Sequence, residues 1–212
     1  MRHQLAIFDF DGTLADSGDW FLSILPQVAT RYGFRVVAPD EVEMLRGRTS
    51  REVIAYLGIP GWKLPFIARH VRAMGTLQAE HVRLFAGIPE MFVQLAEAGV
   101  RIAIVTSNAE ANVRRILGPE IVARIGWFEG GSSLFGKAAK FRRVLRRAGM
   151  TASQAIAIGD ETRDADAARA VGIPFGAVFW GYASDEAMLG TRPAAAFRVP
   201  ADIAAYLLAR HE

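Results

Sequence analysis

An uninterrupted apolar run, Leu5-Ala6-Ile7-Phe8, ends on Asp9 and Asp11, with Phe10 between them and Gly12 after them. Such a run closed by a glycine turn predicts a buried strand, and open α/β sheets bind ligands at the carboxyl ends of their strands. Over 18–84 the pattern changes. No convincing strand is present there, and helical stretches are broken at Gly33, Pro39, Gly58-Ile59-Pro60-Gly61 and Gly75, which predicts a helical insertion. Its last helix is expected to carry an apolar stripe at Ile67, Val71, Met74, Leu77 and Leu84, with His70 and His81 beside it as packing or capping residues. From Gly87 onward helix and strand alternate. Helices are predicted over about 89–98, 109–117, 137–148, 162–170 and 201–209, and strands over 101–105, 155–158 and 175–179. Near-continuous apolar strands separated by helices predict an α/β fold with three layers, a Rossmann-like, mainly parallel sheet covered on both faces.

Composition narrows the function classes. With 212 residues and 51% hydrophobic content the chain can bury a substantial core. The absence of cysteine excludes disulfides, thiolate metal sites, iron–sulfur clusters and thiol nucleophiles. No run approaches membrane-spanning length, and the N-terminus leads straight into the first strand, so a cytoplasmic protein without a cleaved signal or membrane association is expected. The net charge of +3 rests on arginine, since Lys63, Lys137 and Lys140 are the only lysines. The densest basic cluster, Arg142, Arg143, Arg146 and Arg147, alternates with apolar residues at helical spacing, which reads as a wet helix face and gives no support for nucleic-acid binding. A positive exterior also steers anionic substrates inward.

Four polar groups lie at strand ends or helix starts. Paired carboxylates at Asp9 and Asp11 suit phosphoryl transfer, one attacking phosphorus and the other handling the proton; an acidic turn is the plainer alternative. Thr106-Ser107-Asn108 offers a hydroxyl and backbone amides for phosphate oxygens, or an ordinary helix cap. Lys137, after Gly136, is placed to hold phosphate and offset the carboxylates, with Lys140 the competing candidate. Asp160 and Asp164, in Gly159-Asp160-Glu161-Thr162-Arg163-Asp164, stand one helical turn apart. With Asp9 they form a self-repelling cluster that suits a divalent cation with oxygen ligands, magnesium by default; an acidic first helical turn is the alternative.

Taken in order, these motifs resemble the haloacid dehalogenase superfamily, and Asp9-Phe10-Asp11-Gly12-Thr13-Leu14-Ala15-Asp16-Ser17 resembles its phosphoglycolate phosphatase-like branch. The resemblance spans nearly the whole chain. It implies an α/β core over 1–17 and 85–212, with 18–84 as a helical cap. It implies Asp9 as nucleophile, Asp11 as general acid then base, and Thr106, Ser107 and Asn108 as the phosphate cradle, with Lys137 orienting the phosphate. Magnesium would be held by Asp9, Asp160 and the Asp11 backbone carbonyl, with Asp164 acting through water and Glu161 beside that set. The presence of Asp11 favours phosphate esters over carbon–halogen or carbon–phosphorus cleavage, although Ala138 follows Lys137 where the family often has proline.

In the cap, Arg46-Gly47-Arg48-Thr49-Ser50 resembles the loop that approaches the site in this branch, and Arg46 is a candidate for binding a substrate carboxylate or second phosphate. Trp20 and Trp62 either line the cap pocket or pack in its core. Gly18 and the segment 85–87 are the expected hinges. The expected activity is a magnesium-dependent phosphatase acting on a small phosphorylated metabolite (phosphoglycolate, a sugar phosphate or a nucleotide) through an aspartyl phosphate, as monomer or homodimer. A phosphomutase on the same cradle is the alternative, and a non-catalytic binding protein the third.

Overall fold

The computed structural model describes residues 3–78, 82–131 and 136–209. Six strands, β1 (Leu5–Phe8), β4 (Arg101–Val105), β5 (Trp127–Glu129), β6 (Ala155–Gly159), β7 (Phe175–Val178) and β8 (Ala195–Phe197), form one sheet in the order β5-β4-β1-β6-β7-β8. Every pairing in it is parallel. The central strand β1 has Phe8 opposite Ile104 on one side and Ile158 on the other. All four of its residues are fully buried.

Alternation along the strands feeds two cores. Ala6, Phe8, Ile102, Ile104 and Ile156 pack with residues of α5 (Ile88–Glu97), α6 (Glu110–Val122) and α10 (Pro200–Leu208). Leu5, Ile7, Ala103, Val105 and Ala157 point the other way, to α7 (Lys137–Ala148), α8 (Thr162–Arg169) and α9 (Asp185–Gly190). The three layers read from the sequence are therefore present. The basic cluster on α7 faces outward as expected, with Arg143 and Arg147 both pairing with Glu129.

The short elements differ from expectation. β5 and β8 were not predicted; each has three residues at a sheet edge and lacks a long apolar run. A two-stranded antiparallel pair, β2 (Ala15–Asp16) with β3 (Arg83–Leu84), is also new. Among the described residues it brackets four α-helices, α1 (Gly18–Tyr32), α2 (Val42–Arg46), α3 (Ser50–Tyr56) and α4 (Leu64–Leu77). Leu84 therefore belongs to a strand instead of the stripe on α4, and Leu77 is 80% exposed. His70 meets the edge of the Tyr32 ring, and His81 lies outside the described residues. Among the described residues no helix is long and apolar enough to cross a membrane.

Candidate active site

The carboxyl ends of β1, β4, β6 and β7 converge on one edge of the sheet. Asp9 follows β1 directly, and its amide continues the ladder by donating to the Ile158 carbonyl (2.9 Å). Beyond it the chain turns at Gly12, whose φ of +78° is a left-handed conformation that favours glycine. A Cβ there would overlap the Asp160 carboxylate, as would one at Gly181. Missing side chains thus let backbone close around Asp160.

Carboxylate oxygens of Asp9, Asp160 and Asp164 lie within 4.8 Å of one another, and all three residues are buried. Lys137, at the first position of α7 and itself buried, pairs with Asp9 (2.5 Å) and with Asp164. Burial pushes the Asp9 pKa up to about 7 against the attraction of Lys137. Burial, then the charges of Glu161 and Asp9, raises Asp160 well above the carboxylate range. Burial disfavours the Lys137 ammonium, but Asp164 and Asp9 outweigh it and its pKa rises. A buried, oxygen-only donor set with surplus negative charge fits a hard divalent cation.

Asp11 stands apart from that triad. Its carboxylate accepts from Asn108 Nδ2 (3.2 and 3.3 Å) and from Ser17 Oγ (3.2 Å). Burial raises its pKa, and the hydrogen bonds from Asn108 and Ser17 oppose the rise. Asn108 is itself oriented, because its Oδ1 accepts from the Ala109 amide (2.8 Å) and from Asn112 Nδ2 (3.1 Å). Those bonds turn its amide nitrogen toward Asp11. Thr106 is buried at the end of β4, and its hydroxyl accepts from the Asn108 amide (2.9 Å). Ser107 offers its carbonyl to Arg72 of α4 (3.4 Å).

The competing lysine has a different task. Lys140 Nζ donates to the carbonyls of Thr106 (2.6 Å) and Gly131 (2.9 Å), tying α7 to the loops beyond β4 and β5. Burial, then the nearby Lys137 charge, lowers its pKa to about 8. Arg46 points its guanidinium at the carbonyls of Gly181 and Tyr182 (both 3.1 Å) and pairs with Glu43. Trp20 is half-buried with its indole nitrogen on Gln78 (2.8 Å), whereas Trp62 is 69% exposed.

Several contributors had no role assigned from the sequence. Thr13 donates to Asp160 (2.7 Å), as does the Tyr182 amide (2.8 Å). The Tyr182 hydroxyl shares a hydrogen bond with Ser17 (2.6 Å), so the loop after β7 reaches both the metal-type carboxylates and Asp11. Thr13 and Ser17 sit inside the first motif. The signal for Tyr182 is its place beyond a strand end, in Phe179-Trp180-Gly181-Tyr182.

Residues 6–178 match the haloacid dehalogenase-like hydrolase family. A phosphoglycolate phosphatase from Synechococcus elongatus is 26% identical over 201 residues, covering 94% of this chain and 95% of that protein. The tyrosine-protein kinase PtkA of Mycobacterium tuberculosis is 30% identical over 183 residues, or 84% of this chain and 63% of that one. Among solved structures, a haloacid dehalogenase-like hydrolase from Streptococcus pneumoniae superposes with a TM-score of 0.80 at 21% identity, covering 97% of this chain and 99% of that one. With its parallel sheet, its acidic triad and a family match that spans most of its length, the chain belongs to the haloacid dehalogenase-like hydrolase family.

Proposed function

We propose that the chain hydrolyses the monoester of a small phosphorylated metabolite, with magnesium bound, by way of a phosphoryl group carried on Asp9. The observation that supports this best is the convergence of Asp9, Lys137, Asp160 and Asp164 beside an independently held Asp11. In the first step an Asp9 oxygen attacks phosphorus, the ester P–O bond breaks, and Asp11 gives its proton to the departing alcohol. In the second step Asp11 takes a proton from water, which attacks phosphorus and releases Asp9 and inorganic phosphate.

Thr106, the Ser107 amide and Asn108 cradle the phosphoryl oxygens, and Lys137 orients them and balances charge. Asp9, Asp160 and the Asp11 carbonyl would hold magnesium, with Asp164 through water. Bound there, the ion supplies positive charge against the developing charge on the phosphoryl oxygens. Residues 1–17 and 85–212 form the core in this reading, and 18–84 the cap that excludes water. The β2–β3 pair at the base of the helices, next to Gly18 and 85–87, supports that division.

Phosphate release from 2-phosphoglycolate, sugar phosphates and nucleoside monophosphates tests the proposal. Release with magnesium, lowered at least roughly 100-fold by chelator, is expected. Release indifferent to chelator overturns the metal assignment, and return of the phosphoryl group to a sugar hydroxyl identifies a mutase. For Asp11→Asn we expect kcat to fall by about 10²–10⁴-fold on an alkyl phosphate and much less on p-nitrophenyl phosphate, whose leaving group needs no proton. Equal losses on the two esters would remove Asp11 as the acid.

A further inference from the structure

The helices α1–α4 enclose a space where a core would be expected. A cavity of about 610 Å³ begins at Asp11, Gly12, Ser107 and Asn108 and runs into the helical insertion. Each helix supplies apolar wall: Leu25 from α1, Leu45 from α2, Val53 from α3 and Ile67 from α4. All four side chains are only half-buried, and α2 and α3 contain no buried residue at all. Protein interiors normally close such gaps, since apolar side chains facing a void lose contacts on one side. Two of the cavity's cations are held at its sheet end, Arg46 on the Gly181 and Tyr182 carbonyls and Arg72 near the Ser107 carbonyl.

This arrangement separates a polar end, where phosphate chemistry takes place, from an apolar chamber behind it. A two-carbon acid would leave most of the chamber unfilled and has no apolar surface to offer its walls. Ligand cavities of a few hundred cubic ångströms with mainly apolar lining and a few polar groups at one end select ligands with the same polarity gradient. We propose that the preferred substrate is the phosphate monoester of an apolar alcohol, whose hydrocarbon part occupies the space between α1 and α4 while its phosphate meets Asp9. This rests on the phosphatase reading above and narrows its substrate class.

The test is kcat/KM of the native chain with magnesium on methyl, butyl, hexyl and octyl phosphate, 1-naphthyl phosphate and 2-phosphoglycolate, all below micelle-forming concentrations. Burying each added methylene is expected to raise kcat/KM about twofold to fourfold, placing octyl phosphate at least about 100-fold above methyl phosphate and above 2-phosphoglycolate. A flat alkyl series with no gain for the naphthyl ester, or a preference for 2-phosphoglycolate, overturns the proposal and leaves the phosphatase reading intact. Absence of release from every ester removes the phosphatase reading instead. Calorimetry then decides the cavity's role separately: octyl phosphate should bind the Asp9→Asn protein at least about tenfold more tightly than methyl phosphate, and equal affinities overturn the proposal. Ala68→Trp, which places an indole in the chamber wall, should flatten the chain-length slope; an unchanged slope would put the alkyl chain elsewhere and overturn it too.

Discussion

Asp9→Asn is expected to lower phosphate release by at least roughly ten-thousand-fold, the scale of loss when a covalent nucleophile is removed. Asparagine keeps the shape of the side chain, but its amide attacks phosphorus poorly and carries no charge. Stability should move the other way. Burial raises the native Asp9 pKa from 3.8 to about 7 despite Lys137. A raised pKa means that the folded state retains a proton that the unfolded chain releases. Its contribution is therefore fully present below about pH 4 and is lost as pH rises through about 7. The metal-free Asp9→Asn protein lacks this loss, so its unfolding midpoint should exceed that of the native chain at pH 8, and the gap should shrink toward pH 5. Thermal melts in chelator measure this. A variant both inactive and less stable at pH 8 would signal misfolding, and one that retains turnover would show that Asp9 is not the nucleophile.

The second large effect is expected from Lys137→Met. Methionine fills much of the same volume, yet the change leaves Asp9, Asp160 and Asp164 buried together without the cation that pairs with two of them. Removing one partner of a buried ion pair costs about 3–5 kcal/mol, against a total stability of about 5–15 kcal/mol for a typical domain. For a chain of this length that lowers the unfolding midpoint by on the order of 10 °C. Because the cost is electrostatic, it should diminish at pH 5, where Asp9 is protonated, and in excess magnesium. An equal deficit at pH 5 and pH 8 would trace it to packing. Lys140→Met is the control, since Lys140 donates to the Thr106 and Gly131 carbonyls whereas Lys137 pairs directly with triad carboxylates.

The long elements were legible in the sequence because burial on both faces leaves little freedom in composition: β1, β4 and β6 are almost wholly apolar, and α7 spans the predicted residues. What escaped is short or local in pattern only. Helix α6 extends past its predicted end because the chain resumes helical turns after Gly118, where φ is +74° and the sequence Gly118-Pro119 reads as a stop. β5 and β8 obtain their pairing from a neighbouring strand, with too few residues to show a period. The same distinction holds at the site. Asp9, Thr106, Lys137 and Asp160 stand out as candidates in the sequence because each sits where a strand ends or a helix begins. Ser17, Asn112 and Tyr182 act through partners that no local pattern encodes: Tyr182 meets Ser17 from 165 residues away in the chain.

The contrast in packing between the sheet and α1–α4 sets how the molecule yields to thermal motion. β1 is fully buried and paired on both sides, so its carboxylate-bearing end gives way only with the whole core. The four helices have few fully buried residues among them, so partial opening there breaks few contacts and belongs to the low-energy end of the fluctuation spectrum. Ligand entry and exit can then draw on these cheap excursions, turnover after turnover, while the spacing of Asp9, Asp160 and Lys137 stays as the sheet sets it.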